Sequence, residues 1–170
     1  EGASATATVS ITLQFTNVAP VANPDEVNGT EDTVTEVSPL TNDTDENGDT
    51  LVITSASINS GGGLLDFTDT LITHSPNDDY AGEVSISYTI SDGNGGTASS
   101  TILINLEQVN DPPIAVTDTV EFTEQESITI NVLSNDTDPD LEYGDVISLV
   151  SATTSEGEVS ISGDSITYFP

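Results

Sequence analysis

The sequence predicts an all-β protein, a tandem run of β-sandwiches with essentially no helix. Three observations predict it. Apolar residues alternate with polar ones along several short runs, the two-residue period of a half-buried strand. Turn-forming pairs such as Asn28-Gly29, Asn47-Gly48 and Gly163-Asp164 punctuate those runs. A block of sequence also recurs. Asn42-Asp43-Thr44-Asp45 returns as Asn135-Asp136-Thr137-Asp138, and Pro20-Val21-Ala22 returns as Pro113-Ile114-Ala115, both at an offset of 93.

Residues 5–15 alternate throughout. Ala5, Ala7, Val9, Ile11, Leu13 and Phe15 face one way, and Thr6, Thr8, Ser10, Thr12 and Gln14 the other. Val84, Ile86, Tyr88 and Ile90 repeat the device around Ser85, Ser87 and Thr89. So do Ile102, Ile104 and Leu106, and then Ile128, Ile130 and Val132. No stretch shows convincing helical spacing of apolar residues. Short strands at this spacing, divided by turns, indicate a sandwich. The repeat sets the phase. Residues 1–16 read as the last strand of a preceding unit, 17–109 as one complete unit, and 110–170 as an incomplete second unit. That second unit lacks counterparts of Tyr80 through Leu106. It also carries a three-residue insertion, because Gly48-Asp49 corresponds to Gly144-Asp145.

Composition narrows the function. The 170 residues hold 30 Asp and Glu, no Lys or Arg, and no Cys. Nucleic-acid binding and docking on anionic membranes run on basic residues, so neither is expected. Disulfides, thiolate metal sites and cysteine nucleophiles are excluded. No run is long and apolar enough to insert in a membrane. The chain has no Met, so an excised or mature segment is expected. High acidity can mean disorder, but the regular alternation and a Ser and Thr content of about a quarter favour strands.

The acids are arranged rather than scattered. Asp43-Thr44-Asp45-Glu46-Asn47-Gly48-Asp49 sets oxygen donors at alternate positions, with a glycine where the chain must turn. Ca²⁺ takes six to eight hard oxygen ligands, which such a loop supplies. Position 12 of an EF-hand loop would fall on Thr54, not Glu, and no helices flank the run, so the EF-hand fold is not expected. The second copy, Asp136-Thr137-Asp138-Pro139-Asp140, keeps its acids but has Leu141 where the glycine stood. Two carboxylates about 4 Å apart repel by roughly 4 kcal/mol at an effective dielectric near 20, and a divalent cation reverses that sign. A solvated turn, with Asp and Asn only as turn formers, is the plainer alternative. Glu31 and Glu124 correspond across the repeat and could complete a joint site.

The runs Ala19-Pro20-Val21-Ala22-Asn23-Pro24-Asp25, Asn135-Asp136-Thr137-Asp138-Pro139-Asp140, Tyr88-Thr89-Ile90-Ser91-Asp92-Gly93-Asn94-Gly95-Gly96 and Asn110-Asp111-Pro112-Pro113 together resemble bacterial cadherin-like tandem repeats. Such repeats occur in giant secreted adhesins and biofilm-associated surface proteins. The resemblance spans nearly the whole chain. It implies seven-stranded Greek-key, Ig-like sandwiches joined end to end, with Ca²⁺ at or near the joints. By that analogy Asn110 and Asp111 match linker ligands, Asp136 and Asp138 the following Asp-x-Asp, and Asp43 and Asp45 the same part of the complete unit. Asn47, Asp49 and Asp140 complete the candidate metal set. Val18, where the linker Asp would stand, and Leu141 depart from the pattern.

An enzyme is the weakest reading. His74 is the only histidine, set in the strand-like run Leu71-Ile72-Thr73-His74, and no Gly-x-Ser-x-Gly elbow exists. The leading expectation is a structural extender of an extracellular adhesin or surface fibre on a bacterial cell. Its partners would be neighbouring repeats or subunits. One alternative is a Ca²⁺-dependent adhesion module for surface glycans or like molecules. Tyr80, Tyr143 and Phe67 are its candidate platform, though Tyr80 and Phe67 are expected in the core. Another is a filament subunit joined by strand exchange through residues 5–15.

Overall fold

The computed structural model describes residues 1–14, 16–123 and 126–170. Ten strands follow in order: β1 (Asp25–Thr30), β2 (Thr35–Val37), β3 (Val52–Ser60), β4 (Leu64–Phe67), β5 (Ile72–Ser75), β6 (Gly82–Ser91), β7 (Thr97–Glu107), β8 (Ile128–Asn131), β9 (Glu158–Ser162) and β10 (Ser165–Phe169). Two short 3-10 turns, Pro39–Thr41 and Pro139–Tyr143, interrupt them, each with proline at its start. There the missing N–H costs nothing.

The first seven strands form two sheets, ordered β1-β7-β6-β3 and β2-β5-β4. The first and last of the seven lie side by side, the non-sequential pairing of a Greek key. The alternation seen in the sequence is the burial pattern. Val84, Ile86, Tyr88 and Ile90 of β6 and Ile102, Ile104 and Leu106 of β7 are buried, and the residues between them are not. Val37 of β2, Ile53 of β3 and Ile72 of β5 are buried too. His74 lies among them, fully buried, its Nε2 donating to the Gly62 carbonyl at 2.9 Å.

By internal contacts the chain divides into two compact units. One holds residues 1–27, 34–75 and 83–104. The other holds 28–33, 76–82 and 105–170. In the second unit, strand order β8-β10-β9 reproduces β2-β5-β4. The register is reproduced as well: Val37 faces Ile72 across β2 and β5, and Ile130 faces Ile166 across β8 and β10. The counterparts of β1 and β3, residues 118–123 and 148–156, form no strand. Strand order explains this. In the four-stranded sheet β1 pairs only with β7, and β3 only with β6. Among the described residues no strand lies beside segments 118–123 or 148–156 in the corresponding way.

Residues 5–14, expected to be the last strand of a preceding unit, join no ladder within this chain, and Val9, Ile11 and Leu13 are exposed. Alternation marks a strand that could be half-buried but supplies no neighbour to pair with. Phe15 and Glu124 lie outside the described residues. Phe67 is exposed rather than core, because β4 is a four-residue edge strand paired only with β5.

Candidate metal centre

The two Asp-x-Asp runs fold alike. In each, the residue between the acids is held by a two-way bridge: Val21 with Thr44, and Ile114 with Thr137. The first acid of each run then receives a backbone N–H. Asn23 N donates to Asp43 Oδ1, and Val116 N donates to Asp136 Oδ1, both at 2.7 Å. Asp43 also faces the Tyr88 hydroxyl at 3.2 Å. These two aspartates therefore fasten the loop, and neither joins an acidic group of three or more among the described residues. Burial and the carboxylates of Asp43 and Asp25 push the Tyr88 hydroxyl above its ordinary value.

The later acids gather. In the first unit Asp45, Asp49 and Asp92 each offer an oxygen within 4.8 Å of the others. The Asp45 side chain closes its own loop, Oδ1 accepting from Asn47 N at 2.8 Å and Asp49 N at 3.2 Å. Its Oδ2 is buried with no hydrogen-bond partner among the described residues. Asp92 begins the β6–β7 hairpin turn. The Asn17 amide, and then the backbone N–H groups of Asn94 and Gly96, hold it below the ordinary carboxylate value of 3.8 despite its loss of water. A cleft of about 520 Å³ lined by Asn17, Asn47, Asp49 and Asn94 opens beside them.

The second unit holds the larger group. Three overlapping sets, Glu31-Asp111-Asp140, Asp32-Asp79-Asp111 and Asp138-Asp140-Asp145, each place their oxygens within 4.8 Å. Shared members link them into one cluster of seven acids among the described residues. Glu31 closes β1 and is only 1% exposed. Its Oε1 accepts from Val109 N at 2.6 Å, while Oε2 is buried with no partner among the described residues. Asp140, in the 3-10 turn capped by Asp138, accepts from Asp111 N at 2.6 Å. Asp111 Oδ2 is likewise buried with no partner among the described residues. Desolvation, reinforced by Asp79, Asp32, Asp140 and Glu31, holds the Asp111 carboxyl above 3.8. Asp32 and Asp79 both adopt φ of +56°, a conformation Asp tolerates better than most residues. Asp32 Oδ1 accepts from Asp79 N at 3.1 Å.

Buried carboxylate oxygens with no hydrogen-bond donor are costly unless something cationic meets them. The chain owns no Lys or Arg to do so. An all-oxygen donor set suits a hard divalent cation and not a soft transition metal. The residues present therefore fit Ca²⁺.

Of the nine residues singled out in the sequence, Asp45 and Asp49 come together, and so do Asp111, Asp138 and Asp140. Asn47 lines the cleft with its Oδ1 engaged by Val18 N at 2.7 Å. Asp43 and Asp136 fasten loops instead. Asn110 is exposed and turns its amide to the Asp111 carbonyl. Sequence reasoning missed Asp32, Asp79, Asp92 and Asp145 as members. Asp145 was findable as the repeat partner of Asp49. Asp79 had no local signal, because only tertiary folding brings its loop to Asp111.

A comparison with curated proteins gave no match. Among solved structures, the chain is similar to the endo-fucoidan hydrolase MfFcnA4 of glycoside hydrolase family 107. Identity is 19%, over 92% of this chain and 25% of that one, with a TM-score of 0.44. It is also similar to a nucleoside hydrolase-related hypothetical protein from Saccharophagus degradans, at 20% identity over 54% of this chain and 26% of that one, with a TM-score of 0.40. The chain thus spans about a quarter of those structures' length. Among protein families it matches the bacterial Ig domain twice, over residues 17–105 and 110–170, where the repeat and the proline-rich Asn110-Asp111-Pro112-Pro113 joint divide it. The chain belongs to the bacterial Ig domain family.

Proposed function

We propose that the chain is a structural extender of an extracellular adhesin or surface fibre, held in its working form by Ca²⁺ at its acidic loops. Bacterial Ig domains are typically extracellular or surface-exposed repeat modules, which supports the setting. No helix among the described residues is long and apolar enough to cross a membrane. In a repeat array each unit adds length and contacts mainly its neighbours. The observation that carries the cation reading is Glu31. Its carboxylate is shut away from water, with one oxygen unpartnered beside Asp111 and Asp140, in a chain without a basic side chain. Residues from both family matches enter that cluster, so a cation held there would fasten the end of β1 to the linker and the next Asp-x-Asp run. Extracellular modules bind Ca²⁺ at roughly 10⁻⁴ to 10⁻³ M, so the sites would fill outside the cell and empty in chelator.

The test is thermal unfolding in EDTA, in millimolar Ca²⁺ and in millimolar Mg²⁺. At about ten times the dissociation constant a single site adds roughly 1.4 kcal/mol, or about 3–6 °C for a chain of this size. The reading predicts at least that rise with Ca²⁺ and a smaller one with Mg²⁺. Superimposable curves in all three would refute it.

A further inference from the structure

We infer, on the footing of the cation reading above, that Tyr143 is a positioning residue for the acidic cluster of the second unit. Its hydroxyl clasps the loop that carries Asp79, so that the carboxylates stand together before a cation arrives. The repeat singles this residue out. Asp45-Glu46-Asn47 corresponds to Asp138-Pro139-Asp140, and Gly48-Asp49 to Gly144-Asp145, so the three inserted residues are Leu141, Glu142 and Tyr143. The insertion lies inside the site. It lengthens a tight turn into the 3-10 turn Pro139–Tyr143, with Asp138 capping its start and Gly144, at φ of +105°, closing its end. The Asp145 N–H returns to the Asp140 carbonyl at 3.2 Å. Asp138, Asp140 and Asp145 are thereby held on one short closed turn, and Tyr143 is its last residue.

The Tyr143 hydroxyl makes two hydrogen bonds to a single residue. It accepts from Ala81 N at 3.1 Å and donates to the Ala81 carbonyl at 3.2 Å. Ala81 belongs to the loop 76–82, part of the same compact unit, and that loop brings Asp79 to Asp32 and Asp111. The loop needs a tether. Asp79 stands at φ of +56°, and a non-glycine residue stays in that region only where its surroundings hold it. Asp32 Oδ1 takes the Asp79 N–H at 3.1 Å, but Asp32 is itself an acid. Every carboxylate of the cluster repels that of Asp79 unless a cation lies between them. Tyr143 is neutral, and both of its bonds go to backbone atoms. It therefore ties loop to turn without adding charge to the cluster or cancelling any.

The first copy has no residue at this position. Its acids gather into the smaller group Asp45, Asp49 and Asp92, which among the described residues takes no acid from the loop 76–82. The inserted tyrosine thus accompanies the larger cluster. Pre-setting matters to affinity, because a site that is only partly gathered binds with an affinity reduced by the gathered fraction.

Calorimetric titration of Ca²⁺ into the full chain, wild type against Tyr143→Phe, tests the inference. Tyr168→Phe is the control, since it removes a hydroxyl from β10 of the same unit. Tyr143 is 38% exposed and Phe keeps its ring, so the variant keeps its fold, which circular dichroism checks. Tyr143→Phe should weaken Ca²⁺ binding at the cluster about tenfold, the effect of losing one or two ordinary hydrogen bonds from the gathered state. Binding at Asp45, Asp49 and Asp92 should stay as in the wild type, and Tyr168→Phe should bind as the wild type does. Hydrogen exchange supplies a second readout. The Asp79 and Ala81 amides of Tyr143→Phe should exchange faster than those of the wild type in EDTA and regain wild-type protection in saturating Ca²⁺. A Tyr143 that serves packing alone would lower the melting temperature equally in EDTA and in Ca²⁺ and leave the affinity unchanged. That result overturns the inference while the cation reading stands. A wild type that binds no Ca²⁺ overturns the cation reading, and the role of Tyr143 with it.

Discussion

Replacing Glu31 with Gln should change the sign of its effect with the cation. Gln keeps an oxygen to accept the Val109 N–H and removes the charge, in a side chain that is 1% exposed. Without a cation the wild-type Oε2 has no partner among the described residues. An unsatisfied buried polar group costs about 1–3 kcal/mol, and more when charged. The Gln amide can instead donate toward the neighbouring carboxylates. Glu31→Gln should therefore melt higher than wild type in EDTA, by about 2–4 °C per kcal/mol for a chain of this length. In saturating Ca²⁺ the order should reverse, because a ligand of the cluster is gone and the roughly 1.4–2.7 kcal/mol expected at 10 to 100 times the dissociation constant is reduced. Paired calorimetric scans of both proteins in both conditions read the crossing. A variant that is less stable than wild type by the same amount in EDTA and in Ca²⁺ would refute the reasoning, since Glu31 would then act only through packing.

Further predictions follow from the same contacts. Asp43→Ala should cost about 1–3 kcal/mol, because the Asn23 N–H loses its acceptor. It should leave the Ca²⁺-induced shift intact, as comparative melts would report. Burial, helped by Asp43 and opposed by hydrogen bonds from Tyr88 and Asn42, holds Asp25 above 3.8. A raised carboxyl stabilises the fold below 3.8, and that contribution is lost as pH rises through its folded value. Asp25→Asn should therefore raise stability at neutral pH and flatten the fall in stability above pH 4, measured by denaturant unfolding at several pH values. Gly63→Ala should cost about 1–3 kcal/mol in the same assay. Gly63 has φ of +96°, and a Cβ there would stand 2.5 Å from the Ser75 carbonyl and 2.7 Å from His74 Nε2. Ile104→Ala should cost about 2–5 kcal/mol as a core truncation. Ile11→Ala, at the same repeat position but exposed, should leave the unfolding of the single chain within about 0.5 kcal/mol of wild type.

Much of the fold was legible because a sheet face imposes a period of two on the sequence. Val84 through Ile90 and Ile102 through Leu106 face the core at the positions their alternation marks. The repeat offset also reappears in the hydrogen bonds. Val18 N to Asn47 Oδ1 in one copy corresponds to Asp111 N to Asp140 Oδ2 in the other. Pairing was not legible. Residues 5–14 have the same alternation as β7 but no ladder, since a strand exists only beside another. The acidic site was half legible. Donor spacing pointed to Asp45, Asp49, Asp138 and Asp140, which lie close in sequence. Nothing local distinguishes Asp43 and Asp136, spent on backbone N–H groups, from Asp45 and Asp138. Glu31 was visible only as a repeat-matched acid, and its burial comes from the end of β1 meeting residues 107–111, contacts some 80 positions away.

The most direct measurement is a calorimetric titration of Ca²⁺ into the metal-stripped chain, repeated with Mg²⁺ and with Glu31→Gln. The account predicts saturable Ca²⁺ binding near 10⁻⁴ to 10⁻³ M, weaker Mg²⁺ binding, and loss or weakening of at least one site in the variant. Absence of saturable binding to the wild-type chain would contradict it and leave the acidic loops as solvated turns.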